Sequence, residues 1–209
     1  MTTWYLLPSM GTNASMYDPL RAELGFEIRY VDWPRYREDT TFAEIGKRII
    51  EEQGICDGDI VGGTSLGGMI ALEIARLRKL RAVVLISSAT SLNEIQPLLK
   101  LLSPLASVAP ISFFQYLAGK YNHSLTRMFA EANPEFIQAM CRFLNQWKGS
   151  QISSNLLFRI HGKRDHVISC PKSNCEIVPG AGHLLAFTHP KKCGEFLNRV
   201  KQRLEMKPG

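Results

Sequence analysis

The chain has 209 residues, of which 45% are hydrophobic and 21% are charged. This length and balance are typical of one soluble globular domain with a substantial core, and they exclude a disordered or low-complexity chain. The five cysteines are scattered and odd in number, which favours reduced thiols in a cytoplasm over a disulfide framework.

The formal net charge is +6, and much of the excess lies between Lys191 and Lys207. The basic residues there interleave with apolar ones at helical spacing, so we expect a solvated helix face and no nucleic-acid partner. We expect no signal peptide, because the opening residues lack a basic region. Prolines interrupt the most apolar stretch, Leu98 to Ala118, so we expect no stable membrane insertion.

In chain order, short apolar strands alternate with amphipathic helices, which predicts a parallel sheet covered by helices on both faces. Thr40 or Thr41 is the expected N-cap of the second helix, with Glu44 as the capping-box partner of Thr41. The predicted strands are Trp4–Leu7, Glu27–Val31, Asp59–Gly62, Ala82–Ile86, Leu156–Ile160 and Glu176–Val178. The predicted helices are Tyr17–Leu24, Thr41–Gln53, Leu66–Leu77 and Lys191–Glu205.

Residues 91–153 interrupt this alternation. The segment holds no clear strand, prolines punctuate it, and its apolar residues recur at helical spacing. We therefore expect a single domain over residues 1–209 that carries a small helical lid at 91–153, placed over the strand ends. The apolar residues of this lid either pack in the core or line an acyl pocket.

A Gly-x-Ser-x-Gly pentad occupies Gly63–Gly67, between an apolar strand and an apolar helix. A strand–turn–helix of this kind lifts the hydroxyl of its serine, here Ser65, onto a sharp turn. We expect the glycines to be required because a Cβ at either position would collide with the neighbouring strand or helix. Ser65 is therefore the candidate nucleophile, and an ordinary serine at a helix start is the alternative.

Two candidate partners of Ser65 follow later strands. Asp165 comes just past the fifth predicted strand, and His183 lies in a glycine-rich loop past the last one. Because the carboxyl ends of parallel strands meet at one edge of a sheet, we expect all three residues to converge there. A serine hydroxyl needs a base to take its proton, and that base needs an orienting acid. Glu94 is the alternative acid, and His161 is expected to pack at a strand end.

Three motifs resemble those of the α/β-hydrolase superfamily: Gly-Gly-Thr-Ser-Leu-Gly-Gly-Met at 62–69, His-Gly-Lys-Arg-Asp at 161–165 and Gly-Ala-Gly-His at 180–183. The resemblance covers the chain from Trp4 to the final helix, except for the lid. It implies an α/β-hydrolase fold, with a mostly parallel twisted sheet of about six strands flanked by helices. It also implies that Ser65 is the nucleophile, His183 the base and Asp165 the orienting acid. The glycine-rich turn lacks the Lys of a P-loop and the Gly-x-Gly-x-x-Gly of a dinucleotide site, so we expect no metal or organic cofactor.

The same resemblance implies an oxyanion hole built from two backbone N–H groups. One donor is the N–H of Leu66, directly after the nucleophile. The other comes from the loop after the first strand, where Met10 is the expected donor. The family often has His-Gly at the position of Pro8-Ser9 in this chain, a departure that a backbone donor tolerates.

These expectations predict a serine hydrolase that cleaves an ester or thioester of a small to medium apolar acyl group through an acyl-enzyme on Ser65. A small-molecule acyl substrate is the expected partner. A lyase, perhydrolase, C–C bond hydrolase or acyltransferase with the same triad is an alternative, since a fold does not determine a function. A non-catalytic ligand-binding relative is a further alternative, and the sequence leaves the acyl chain, the leaving group and the oligomeric state open.

Overall fold

The computed structural model describes residues 2–96, 123–154 and 156–206. The strands within these ranges are β1 (Trp4–Leu7), β2 (Arg29–Tyr30), β3 (Ile60–Thr64), β4 (Ala82–Ile86), β5 (Leu157–Gly162) and β6 (Glu176–Val178). They form one sheet in the order β2–β1–β3–β4–β5–β6, and every neighbouring pair is parallel. The predicted parallel sheet of about six strands is therefore confirmed.

Helices lie on both faces of this sheet. They are α1 (Asp18–Arg21), α2 (Phe42–Gln53), α3 (Leu66–Leu77), α4 (Ser124–Glu131), α5 (Pro134–Gln146), α6 (Leu185–Thr188) and α7 (Pro190–Glu205). Residues of α2, α3 and α5 share one hydrophobic core with one face of the strands. Residues of α1, α6 and α7 share a second core with the other face.

The central strand β4 shows why its sequence is apolar throughout. Val83 and Leu85 belong to the core beneath α2 and α3, whereas Val84 and Ile86 belong to the core beneath α7. Each of these four side chains is at most 1% exposed. Successive side chains of a strand point to opposite faces, so a strand covered on both sides is apolar at most positions. Burying a side chain of this size contributes about 1.5–3 kcal/mol.

Helix α2 begins at the predicted cap. The hydroxyl of Thr41 accepts the N–H of Glu44 at 3.2 Å, and the carboxylate of Glu44 accepts the N–H of Thr40 at 2.5 Å. The helix ends at Gly54, whose φ of +68° is the left-handed conformation that glycine adopts most readily. Local sequence signals therefore account for both ends of this helix.

Two predicted elements are shorter in the structure. The helix predicted at Tyr17–Leu24 is divided into a 3₁₀ turn over Ala14–Tyr17 and the single turn of α1. The strand predicted at Glu27–Val31 pairs only at Arg29 and Tyr30, and this strand, β2, lies at the edge of the sheet. In contrast, β3 and β5 extend two residues further than predicted, toward the edge where the candidate site lies.

The described part of the predicted insertion at 91–153 contains a 3₁₀ turn (Leu92–Glu94) and the helices α4 and α5. Trp147, just after α5, anchors this part to α3 because its indole N–H donates to Glu73 at 2.8 Å. The apolar stretch from Leu98 to Ala118 lies outside the described residues, so the lid stays a prediction. None of the helices in the described ranges has the length and apolar character needed to span a membrane.

Candidate active site

Ser65 stands on a sharp turn between β3 and α3. Its backbone has φ +55° and ψ −120°, a conformation that residues with a side chain rarely adopt. The turn presses the start of α3 against the end of β1. A Cβ on Gly67 would lie 2.3 Å from the carbonyl oxygen of Leu7 and 2.5 Å from that of Pro8. A Cβ on Gly63 would lie 2.5 Å from the carbonyl carbon of Gly67, so both positions need glycine.

We expect Gly67→Ala to lower the unfolding temperature sharply, because the added methyl group meets backbone atoms that cannot rotate away. Overpacking of this kind typically costs about 1–3 kcal/mol. Thermal unfolding measured by circular dichroism checks the prediction. Gly25→Ala is the matched control, since the nearest atom to its new Cβ would be 3.9 Å away. Equal unfolding temperatures for the two variants would contradict the close approach of α3 to β1.

Ser65, His183 and Asp165 form a continuous chain of hydrogen bonds. The Oγ of Ser65 lies 2.9 Å from Nε2 of His183, and Nδ1 of His183 lies 2.8 Å from Oδ2 of Asp165. Because an ionised carboxylate only accepts, Nδ1 carries the ring proton and Nε2 is left to accept the hydroxyl of Ser65. The end of β3, the end of β5 and the loop after β6 supply the three residues. The structure thus brings together the three residues that the strand order predicts to converge.

The carboxylate of Asp165 is buried and fully hydrogen-bonded. Its Oδ1 accepts the N–H groups of Val167 and Ile168 at 2.8 and 2.9 Å, and its Oδ2 faces His183 at 2.8 Å and His161 at 3.1 Å. Burial alone would raise the pKa of Asp165, but hydrogen bonds from His161 and His183 outweigh burial and hold this pKa well below its usual range. Asp165 is therefore ionised at neutral pH.

His161 is a partner of Asp165 that sequence reasoning did not find. The residue is 1% exposed. Its Nε2 lies 3.1 Å from Oδ2 of Asp165 and 3.1 Å from the carbonyl oxygen of Ile168. Both neighbours are acceptors, so Nε2 of the neutral ring carries the proton and shares it between them. A polar residue inside a buried strand, four positions before the acid, was the available signal.

Two backbone N–H groups adjoin the turn at Ser65. Leu66 is the first residue of α3, so its N–H has no partner within the helix. Met10 lies in the loop after β1, and its N–H makes no hydrogen bond within the described residues. The close approach of Gly67 to Leu7 and Pro8 sets the two segments side by side. Leu66 and Met10 are the residues predicted to donate to an oxyanion.

Tyr17 joins the segments that precede these two donors. Its hydroxyl donates to the carbonyl of Leu7 at 2.6 Å and accepts the N–H of Thr64 at 3.0 Å. Leu7 precedes the loop of Met10, and Thr64 precedes Ser65. Burial raises the pKa of Tyr17 well above its usual range, so the phenol stays neutral and able to donate. This contact depends on how the 3₁₀ turn packs against the sheet, and no local pattern signals it.

A cleft of about 440 Å³ opens beside the loop of Met10. Its lining starts at Gly11 and Thr12 and continues along aromatic residues that include Trp33 and Phe136, whose ring centroids are 5.2 Å apart. Ser65 is not among the described residues that line it. A concave site of this volume with aromatic walls is typical of small-molecule binding.

Two other carboxylates of the chain, those of Glu94 and Asp32, are engaged elsewhere. Glu94, the alternative acid, pairs with the guanidinium of Arg159 at 2.9 and 3.0 Å and accepts the N–H of Thr90 at 2.7 Å. Asp32 accepts the N–H of Ala14 at 2.7 Å. The geometry therefore assigns Asp165, and not Glu94, to His183.

Comparison with solved structures shows the same fold in proteins of several activities. A thermophilic esterase from Thermogutta terrifontis matches with a TM-score of 0.76 at 17% identity, over 98% of this chain and 90% of that one. An N-acyl homoserine lactonase matches with a TM-score of 0.74 at 14% identity, over 100% and 92% of the two chains. The enol-lactonase from Burkholderia xenovorans matches with a TM-score of 0.69 at 13% identity, over 99% and 92%. At such identities the likeness is one of fold.

A sequence model of a protein family also matches this chain. The model of the alpha/beta hydrolase family matches residues 5–195, which include the pentad around Ser65 as well as Asp165 and His183. No curated protein sequence matches the chain. The family match spans nearly the whole chain and agrees with the six-stranded parallel sheet. The chain therefore belongs to the alpha/beta hydrolase family.

Proposed function

We propose that the protein is a serine hydrolase that cleaves an ester or thioester of a small to medium, largely apolar acyl group. The observation that carries this proposal is the hydrogen-bond chain from Ser65 through His183 to Asp165, with its distances of 2.9 and 2.8 Å. Membership of the alpha/beta hydrolase family supports a hydrolase. The triad geometry supports the choice of Ser65 as its nucleophile.

In the acylation step, Nε2 of His183 takes the proton of Ser65 while Oγ bonds to the substrate carbonyl carbon. The carbonyl oxygen becomes an oxyanion that accepts the N–H groups of Leu66 and Met10. Removing one such donor typically costs about 100- to 1,000-fold in rate. The imidazolium, stabilised by ionised Asp165, then gives its proton to the leaving alcohol or thiol as the bond to carbon breaks.

In the deacylation step, a water molecule replaces the departed leaving group. His183 takes one proton of this water while its oxygen bonds to the acyl carbon. The second tetrahedral intermediate again places its negative charge on the oxygen held by Leu66 and Met10. Its collapse breaks the bond to Ser65, and His183 returns the proton to Oγ. The products are a carboxylic acid and free enzyme.

The cleft beside Met10 is our candidate for the apolar acyl group. It begins at Gly11, the residue after the proposed second donor, and has Trp33 and Phe136 in its wall. An acyl chain there would bury about 0.8 kcal/mol for each methylene group. Asp32, Arg35 and Glu131 also line the cleft, so the support for an apolar acyl group comes from the aromatic part of its wall.

We expect Ala132→Trp, which fills this cleft from its wall, to discriminate between acyl chains. The KM of an octanoyl ester is expected to rise about tenfold more than that of an acetyl ester, because about two buried methylene groups lose their contacts. Michaelis–Menten kinetics on the two p-nitrophenyl esters checks this. Ala22→Trp, on an exposed residue, is the control. An unchanged preference between the two esters would contradict the cleft as the binding site of the acyl group.

A substrate series tests the proposed activity itself. The wild-type protein is assayed on p-nitrophenyl esters from acetate to decanoate and on acetyl and octanoyl thioesters. We expect saturable turnover of at least one ester, with a preferred chain length. Absence of turnover of every ester and thioester by folded protein would contradict a hydrolase of this class.

A further inference from the structure

The carbonyl oxygen of Ser9, in the loop after β1, accepts three hydrogen bonds. It accepts the indole N–H of Trp33 at 3.1 Å, the hydroxyl of Thr12 at 2.9 Å and the N–H of Thr12 at 3.2 Å. The N–H of Ser9 is also engaged, because it lies 3.2 Å from the sulfur of Met16. Ser9 is 6% exposed. Its carbonyl is therefore fixed in direction by groups on two sides of the loop.

This carbonyl shares a peptide plane with the N–H of Met10. The peptide is trans, as are all others in the described residues, so C=O and N–H point in opposite directions within one rigid unit. Whatever holds the Ser9 carbonyl therefore also sets the direction of the Met10 N–H. That N–H meets no acceptor within the described residues, so a substrate oxygen is free to take it.

Thr12 and Trp33 contribute differently to this arrangement. Thr12 belongs to the same loop, so its bonds shape the loop without attaching it to the sheet. Trp33 follows β2, and its ring packs on Phe136 of α5 at 5.2 Å between centroids. Its bond to Ser9 therefore ties the loop to a neighbouring strand end and to a helix that is itself packed in the core.

We propose that Trp33 is a positioning residue for the oxyanion hole: its indole N–H holds the Ser9 carbonyl and thereby aims the N–H of Met10 at the substrate oxygen. This inference rests on the proposed function, since it requires that Met10 donate to an oxyanion. A residue that only lines the cleft affects the binding of substrate. A residue that aims the N–H of Met10 also affects the stability of the transition state, and we assign this second effect to Trp33. A preorganised donor stabilises charge without reorganising during the reaction.

Trp33→Phe tests the proposal because it keeps an aromatic wall and removes the N–H. We expect kcat for a p-nitrophenyl ester to fall about tenfold with KM within about twofold, since Thr12 still holds the Ser9 carbonyl. Adding Thr12→Val removes the hydroxyl donor and keeps the N–H of Thr12, so the loss is expected to grow but to stay below about 100-fold, the lower range for a lost donor. A trifluoromethyl ketone acquires an oxyanion when the nucleophile adds to its carbonyl carbon. We expect this ketone to bind Trp33→Phe about tenfold more weakly than it binds the wild type, whereas the matching alcohol binds both proteins equally.

Trp147→Phe is the matched control. It also removes an indole N–H from a buried hydrogen bond, here the bond to Glu73 at 2.8 Å, but it lies away from the loop of Met10. This control is expected to lower the unfolding temperature and leave kcat unchanged. A loss of kcat in Trp33→Phe without a comparable loss in Trp147→Phe separates positioning from stability.

Two results would overturn the positioning role of Trp33. One is an unchanged kcat in Trp33→Phe. The other is an equal loss of affinity for the ketone and the alcohol, which would make Trp33 a ground-state binding residue. Both results presuppose that the wild type hydrolyses the ester. A wild type without ester turnover would instead reject the proposed function.

Discussion

Ser65→Ala is expected to lower kcat for p-nitrophenyl ester hydrolysis by about 10⁴- to 10⁶-fold, because the proposed mechanism forms the acyl-enzyme on Ser65. The fold is expected to persist. Within the described part of the chain, the side chain of Ser65 makes one hydrogen bond, to His183, while its backbone N–H and C=O bond to Ile86 and Ser88 independently of the hydroxyl. Steady-state kinetics and thermal unfolding of the purified variant check both parts.

Ser87→Ala is the matched control for this substitution. Ser87 also follows a strand and also has a positive φ, of +45°, but its buried hydroxyl has no hydrogen-bond partner among the residues that the structure describes. Removing an unsatisfied buried hydroxyl leaves stability equal or higher. We expect the kcat of Ser87→Ala to equal that of the wild type. Turnover by Ser65→Ala at a similar level would reject the acyl-enzyme.

Asp165→Asn is expected to lower kcat by about 10³- to 10⁴-fold with the site otherwise assembled, since an amide in place of the proposed orienting acid selects the wrong histidine tautomer. The amide oxygen can still accept the N–H groups of Val167 and Ile168, which bond to Oδ1 in the native protein. The amide nitrogen then faces His183 and donates to Nδ1. The ring proton moves to Nε2, where it prevents acceptance of the proton of Ser65.

Asp59→Asn provides the comparison for Asp165→Asn. Asp59 is also a buried aspartate that accepts backbone N–H groups, from Thr3 and Cys56 at 2.9 Å, but it precedes β3 at the opposite edge of the sheet. We expect a loss of stability without a loss of kcat. Near-native kcat in Asp165→Asn would show that His183 does not depend on Asp165, and the proposed mechanism would need another acid.

The acid dependence of stability follows from the same carboxylate. The folded-state pKa of Asp165 is depressed, so Asp165 stabilises the folded protein above the ordinary aspartate pKa of about 4, and this contribution is lost as pH falls further. Asp165→Asn lacks this contribution at every pH. Unfolding free energies measured from pH 6 to pH 3 are therefore expected to fall less steeply in the variant. An equally steep fall would contradict the depressed pKa.

The strands and helices around the sheet could be predicted from the sequence because the signals for them are local. Most strands of the sheet are short apolar runs, and the cap of α2 lies within four residues of sequence. Ser65, Asp165 and His183 were predictable as neighbours because each follows a strand, and the ends of parallel strands share one edge. Their convergence required no knowledge of side-chain packing.

The remaining contacts of the site depend on packing between distant elements. The bond from Trp33 to Ser9 joins the ends of two strands across 24 residues of sequence, and the bond from Tyr17 to Thr64 spans 47. Neither has a sequence period or a motif. A histidine inside a buried strand was a signal that His161 has a polar partner. The identity of this partner, Asp165, depends on how the loop after β5 returns toward His161.

The most direct test of an activated Ser65 is labelling with a fluorophosphonate, followed by intact mass measurement and peptide mapping. We expect one adduct per wild-type chain, on the peptide that contains Ser65, and no adduct on Ser65→Ala. Labelling of Asp165→Asn is expected to be slower. A folded wild-type protein without an adduct, or an adduct that persists on Ser65→Ala, would contradict Ser65 as the nucleophile.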